Sequence, residues 1–187
     1  MPLIEYVQLD ESEDRVRELL EQSADRHGKT SLLLAILAHS PAVLDGWHSF
    51  YGAVMLDGSL TEDIKQLTHV TVSITNGCEY CAASHTENLV EDFGIPQHQV
   101  KGIADTDLAE FTPRQRAAVE FAAAVATDPK RVTEDDVQSL YDVGFDDEQV
   151  VELLATVALA NAANTVTDSM NVFPMDRDDL LAGYSPE

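Results

Sequence analysis

Residues 60–86 read LTEDIKQLTHVTVSITNGCEYCAASHT, and this stretch decides the fold. Ahead of the cysteines, Leu60, Ile64, Leu67, Thr71 and Ile74 recur at the 3.6-residue period and form the expected buried stripe of one helix. Ser59 followed by Glu62 has the form of a capping box, in which hydroxyl and carboxylate satisfy each other's backbone donors, so the helix is expected to start there. Asn76-Gly77 interrupts it. From about Cys78 to Gly94 a second helix is expected to bury Ala82, Thr86, Leu89 and Phe93.

The same grammar extends in both directions. Upstream, Glu11 to Arg26 carries Val16, Leu19, Leu20 and Ala24 on one stripe, with Gly28 as its stop. Thr30 to His39 is apolar on most sides and reads as a buried helix, and Pro41 opens a segment through Trp47 and Phe50 to Gly58. Downstream, a short helix is expected from Pro96. Thr112-Pro113 with Gln115, Thr133 with Asp136, and Asp146 with Gln149 mark three further helix starts. The last helix, Asp146 to about Asn171, carries Val150, Val151, Leu153, Leu154, Val157, Leu159 and Ala160, and is apolar on more than one side. Such a helix belongs at the centre of a bundle or in a subunit interface. Period-two alternation is confined to the N-terminal Ile4, Tyr6 and Leu9, so strand content should be close to none. The expectation is one all-α domain over residues 1–187 with seven to nine helices, a loose arm over 1–10 and a loose tail over 174–187.

Composition bounds the function. With 34 acidic residues against 11 Lys plus Arg, the formal charge is −23. Binding to nucleic acid through phosphate neutralisation is excluded, as is docking on an anionic membrane. Apolar residues make up 44%, enough for a core at this length, which argues against intrinsic disorder. The longest uninterrupted apolar run is Leu32 to Ala38, well short of a membrane span. The start, Met1-Pro2-Leu3-Ile4-Glu5, has no basic residue and no apolar stretch behind it, and the chain is therefore placed in the cytoplasm. The acidity is spread along the whole chain, with only four Lys, as a protein working in concentrated salt would tolerate.

Both cysteines lie in Cys78-Glu79-Tyr80-Cys81, with His85 four residues on. Just after Asn76-Gly77 they fall in the first turn of a helix, where unpaired N–H groups and the helix dipole favour a thiolate. The i, i+3 and i+4 spacings put Cys78, Cys81 and His85 on one face, so His85 can take the proton of Cys81 and Cys78 can close a disulfide with it. Three readings share this spacing. A dithiol redox site supplies an attacking thiolate, a base and a resolving thiol. A zinc site would use Cys78, Cys81 and His85, with His69 the nearest fourth ligand in sequence. Inert, buried cysteines beside a surface histidine are the third.

The stretch from Leu60 to Thr86 resembles the signature of the alkyl hydroperoxidase D and carboxymuconolactone decarboxylase-like superfamily, with a helix leading through Asn-Gly into C-x-Y-C-x-x-x-H. The helix pattern extends the resemblance over about Ser31 to Asn171. It implies an all-α bundle that assembles into homo-oligomers, often trimers or hexamers. It also implies peroxide reduction, with Cys81 as attacking thiolate, Cys78 as resolving partner and His85 assisting deprotonation. No metal or organic cofactor is then required for the first half-reaction, and an external dithiol reductant restores the pair. The family tends to place a relay glutamate twelve positions before the first cysteine, where this chain has Gln66. An amide hydrogen-bonds but does not relay a proton at ordinary pH, so Glu62 and His69, on the same helical face, are the candidates to substitute. Equally, Glu62 has a reading as a cap and His69 as a packed core residue. The decarboxylase branch does not need the cysteine pair, so an intact C-x-x-C argues against that branch.

The remaining candidates are weaker. His27, His39, His48 and His98 show no metal-ligand spacing. Trp47, Phe50 and Tyr51 are expected in the core, and Tyr80 against a neighbouring helix. Asn161, Asn164 and Asp168 form a polar stripe on the last helix, expected at a subunit contact or the entry to the active site.

Overall fold

Every regular element among the described residues is helical, as the 3.6-residue periodicity requires. The computed structural model describes residues 1–27 and 31–173, with the backbone alone at residues 11 and 25–27. Among these residues nine α-helices follow in chain order: α1 (Asp14–His27), α2 (Leu32–Leu37), α3 (Pro41–Tyr51), α4 (Glu62–Asn76), α5 (Glu79–Phe93), α6 (Gln97–Lys101), α7 (Pro113–Thr127), α8 (Glu134–Asp142) and α9 (Asp147–Ser169). Short 3₁₀ turns at Leu9–Glu11 and Pro129–Arg131 and a π-helical segment at Gly52–Leu56 complete the set. The expected stop at Gly28, the start at Thr30 and the tail from Pro174 lie outside the described residues. The N-terminal segment, expected to be loose, is tied down. Leu3 N–H donates to the Met170 carbonyl, Val7 N–H to the Ala35 carbonyl, and His39 Nε2 bonds the Glu5 carbonyl.

The centre of the bundle is α4. It packs against α5, α7 and α9, and buries Ile64, Lys65, Leu67, Thr68, His69, Val70, Thr71, Val72 and Ser73, more than one stripe's worth. Leu60, Ile64, Leu67 and Thr71 are buried as the periodicity predicts, while Ile74 is half-buried. On one side of α4, Ile64 and Val72 join Phe121, Ala122, Leu153 and Val157 in a core shared with α7 and α9. On another, Leu67 and Val70 meet Leu89, Val100 and Val119. Trp47 and Tyr51 pack beside Val54, Met55 and Leu159, but Phe50 is 40% exposed and lies outside the core.

The predicted start of α4 at Ser59 is corrected by a long-range contact. Ser59 N–H and Leu60 N–H donate to the two carboxylate oxygens of Glu152 on α9, at 2.9 and 2.7 Å, so Glu62 has no donor at Ser59 to accept. The helix begins at Glu62 with Thr61 as its N-cap residue. Glu152 also lies 3.9 Å from the ammonium of Lys65, which is buried and donates to the Asp57 carbonyl. Gly58 closes this clamp at φ +92°, where a Cβ would collide with the Glu152 carboxylate.

The other starts follow the sequence. Thr112 with Gln115 and Thr133 with Asp136 form complete capping boxes, and Asp146 accepts from Gln149 N–H. The Gln149 side chain turns away, to Arg114 and the Ser59 carbonyl. Helix α9 has the length and apolarity of a bilayer span, yet half of it is buried within the fold and packed on α4 and α7, as in a core helix. Its Val151 and Leu154 are 63% and 42% exposed, so part of its apolar set faces outward from the chain.

Candidate active site

Gly77 sets the position of the cysteines. It ends α4 in the left-handed region at φ 74°, the Gly77 N–H donates to the Ile74 carbonyl, and the Cys78 N–H donates back to the Ser73 carbonyl. Cys78 therefore becomes the N-cap residue of α5 and Cys81 sits in its first turn. Both are free thiols and both are buried, 0% and 3% exposed. They face an apolar wall of Leu19 and Leu20 from α1, Leu34 and Leu37 from α2, Leu44 from α3 and Ala163 from α9.

The polar group at the thiols is one that sequence reasoning missed. Thr167 of α9, itself fully buried, places Oγ1 3.2 Å from Cys78 Sγ and 3.5 Å from Cys81 Sγ. That hydroxyl also donates within α9, with the Ala163 carbonyl at 3.0 Å and the Asn164 carbonyl at 3.2 Å. No local pattern links residues 78 and 167. Only the face that Thr167 shares with Asn164 and Ala163 hinted at it.

The resting pair differs from the expected thiolate. The hydrogen bond to Cys78 and then burial push the Cys81 thiol well up, and the Asp168 carboxylate adds to this, while Thr167 pulls it down. The helix N-terminus alone does not overcome an apolar wall.

His85 is held from α4. Its Nδ1 lies 2.6 Å from Gln66 Oε1, and its ring stacks on His69 at 3.6 Å between centroids and 18° between planes. The amide oxygen only accepts, so Nδ1 carries the proton of this bond. Gln66 thus occupies the relay position and orients the imidazole. His69 is buried and its pKa is lowered to about 3 by desolvation, so it stays neutral and serves as a packing surface for His85. Glu62 is exposed in the first turn of α4, outside this stacked pair.

The polar stripe of α9 is used inside the chain. Asn161 accepts from Asn76, and Asn164 accepts from Ser73, whose hydroxyl also reaches the His69 carbonyl and lies 3.4 Å from His69 Nδ1. Within the chain these two residues, expected at a subunit contact or the entry to the active site, bond to α4. Asn164 Nδ2 is left buried without a hydrogen-bond partner. Tyr80 turns its hydroxyl to the start of α2, where it accepts the Leu32 N–H at 3.0 Å, and burial raises its pKa. Its polar role is to finish α2. Among the described residues no three His, Cys, Asp or Glu side chains converge as a metal ion would need. A separate cleft of about 510 Å³ is lined by Thr71, Ile74, Thr75, Ile103, Val119 and Ala123. Thr71 lies about 200° around α4 from His69, so this cleft opens on the face away from the histidines.

A family model described as the carboxymuconolactone decarboxylase family matches residues 41–124. The chain is similar over its whole length to an alkylhydroperoxidase AhpD core structure, an uncharacterised peroxidase-related protein from Ralstonia eutropha JMP134. The two are 28% identical, with a TM-score of 0.85 and coverage of 100% of this chain and 98% of that one. These matches support the alkyl hydroperoxidase D and carboxymuconolactone decarboxylase-like superfamily. A peroxidase-related protein from Silicibacter sp. TM1040 has the same fold at 21% identity and TM-score 0.84, covering 98% of this chain and 96% of that one. So does the debrominase Bmp8, at 15% identity and TM-score 0.83, covering 98% of each. The protein YdfG of Bacillus subtilis (strain 168) is 23% identical over 113 residues, 60% of this chain and 76% of its own. Proteins named for different activities therefore share this one bundle fold, and the side chains at the site must decide among them.

Proposed function

We propose that this chain is a thiol-dependent oxidoreductase that reduces organic hydroperoxides or disulfides through Cys78 and Cys81. The observation that carries the reading is the adjacency of two free thiols on one buried hydroxyl at the start of α5. A pair so placed closes a disulfide with little backbone movement. Cys81, relieved of its proton by His85 Nε2, attacks a peroxide oxygen; the S–O bond forms as O–O breaks, and the departing alkoxide takes up a proton as alcohol. Cys78 then attacks the Cys81 sulfur, forming S–S and expelling the oxygen as water. A dithiol reductant protein returns two electrons to the disulfide. The cysteines need no metal or organic cofactor for these steps. Gln66 supports the reading as the group that holds the His85 tautomer.

The working form is proposed as a cytoplasmic homo-oligomer, a trimer or hexamer. The exposed stripe of Val151, Leu154, Ala158 and Ala162 along α9 supports an apolar contact with a second copy.

The test is a thiol count on metal-stripped native protein after brief exposure to stoichiometric cumene hydroperoxide. Wild type loses both thiols as an intramolecular disulfide. Cys81→Ser leaves the remaining thiol unoxidised, and Cys78→Ser oxidises once without resolution. Wild-type peroxide consumption by both variants overturns the mechanism.

A further inference from the structure

We infer that Thr167 is a catalytic residue of the dithiol site, a hydroxyl that turns from its own helix to donate its proton to whichever sulfur becomes the thiolate. The inference rests on the redox reading above. Its ground is a count of protons. A threonine hydroxyl has one proton and two lone pairs, and Thr167 Oγ1 has four neighbours within 3.5 Å, the Ala163 and Asn164 carbonyls and the two sulfurs. Carbonyls only accept. In the dithiol state the hydroxyl proton therefore rests on α9, and the thiols point their S–H groups at the oxygen or at each other.

Loss of one thiol proton reverses the demand. The thiolate is an acceptor only, and it is almost wholly withdrawn from solvent, with Cys78 at 0% and Cys81 at 3% exposure. The apolar side chains from α1, α2 and α3 offer it no donor. A torsion about the Cβ–Oγ1 bond brings the Thr167 proton to the sulfur and leaves the heavy atoms in place. Thr167 touches both sulfurs, so the same hydroxyl serves the attack by Cys81 on peroxide and the later attack by Cys78 on the oxidised sulfur. The other titratable or charged groups of the site are Asp168 on α9, which pushes the Cys81 thiol up, Tyr80 and His85 on α5, and His69 on α4, which stays neutral. Thr167 acts on Cys81 in the opposite sense to Asp168.

The experiment compares Thr167→Val, which keeps shape and removes the hydroxyl, with Thr167→Ser, which keeps the hydroxyl. Thiolate absorbance at 240 nm is followed against pH on reduced protein without peroxide. Thr167→Val is expected to raise the first ionisation by about one pH unit, and to slow oxidation by cumene hydroperoxide about tenfold at pH 7 in proportion to the lost thiolate. Thr167→Ser should follow wild type in both. Should the valine variant not fold, Thr167→Ala removes the same hydroxyl and is read in its place. Identical titrations for wild type, Val and Ser overturn the inference, as does a serine variant displaced as far as valine, which would make the methyl group the part that matters. Failure of the redox reading shows differently, as a wild-type protein whose thiols titrate yet do not consume peroxide.

Discussion

His69 separates packing from chemistry at the scale of one residue. It was a candidate relay in the sequence, and its stacking on His85 places it in the site, but burial holds its pKa at about 3, against an ordinary 6.5. Above pH 6.5 the ring is neutral both folded and unfolded. Below it the unfolded chain binds a proton that the folded chain refuses, so stability falls from about pH 6.5 towards pH 3, by on the order of a few kcal/mol. A His69→Gln variant should lose that part of the acid sensitivity, with the gap in melting temperature between pH 7 and pH 4.5 narrowing relative to wild type. An unchanged gap would mean that His69 is not held neutral. The reading of Gln66 was sharper. Substitution at the relay position was visible in the sequence, and the 2.6 Å bond to Nδ1 turns it from a broken relay into an orienting acceptor.

At the scale of elements, the clamp between α9 and the start of α4 has an asymmetric energetics. Removing Glu152 leaves the Lys65 charge buried and the Ser59 and Leu60 N–H groups without their acceptor. Glu152→Ala should therefore cost about 3 kcal/mol in denaturant unfolding, whereas Lys65→Met, which removes the buried charge and keeps the volume, should cost less than half as much. Equal losses would show that Lys65 and Glu152 do not act as a pair. This clamp also marks where sequence reading stops. Caps at Thr112 and Thr133 and the turn at Gly77 are written within a few residues and were legible. Glu152 acts on Ser59 across 93 positions and Thr167 on Cys78 across 89, and such contacts have no local period to reveal them. Helix α4 was under-read for a related reason: Lys65, Thr68, His69 and Ser73 look like a solvent face until α5, α7 and α9 are packed around them.

The whole molecule carries a formal net charge of −23 on 187 residues. Arg15 bridges Glu18 and Asp45 at the surface, where water and salt screen such pairs. Self-repulsion is then relieved mainly by screening, and we infer adaptation to concentrated salt. The melting temperature should rise by several degrees or more between low and molar KCl; an unchanged value would remove that inference. The fold class and the cysteine-histidine segment were legible at this scale because helix period and motif spacing are local properties. The state of the thiols was not, since it depends on the apolar wall that α1, α2 and α3 raise around them. The decisive measurement is the thiol count on native wild-type protein in concentrated KCl, before and after stoichiometric organic hydroperoxide. Loss of both thiols as an intramolecular disulfide, faster than in the unfolded chain, is the predicted result, and two thiols left untouched would contradict a working Cys78–Cys81 pair.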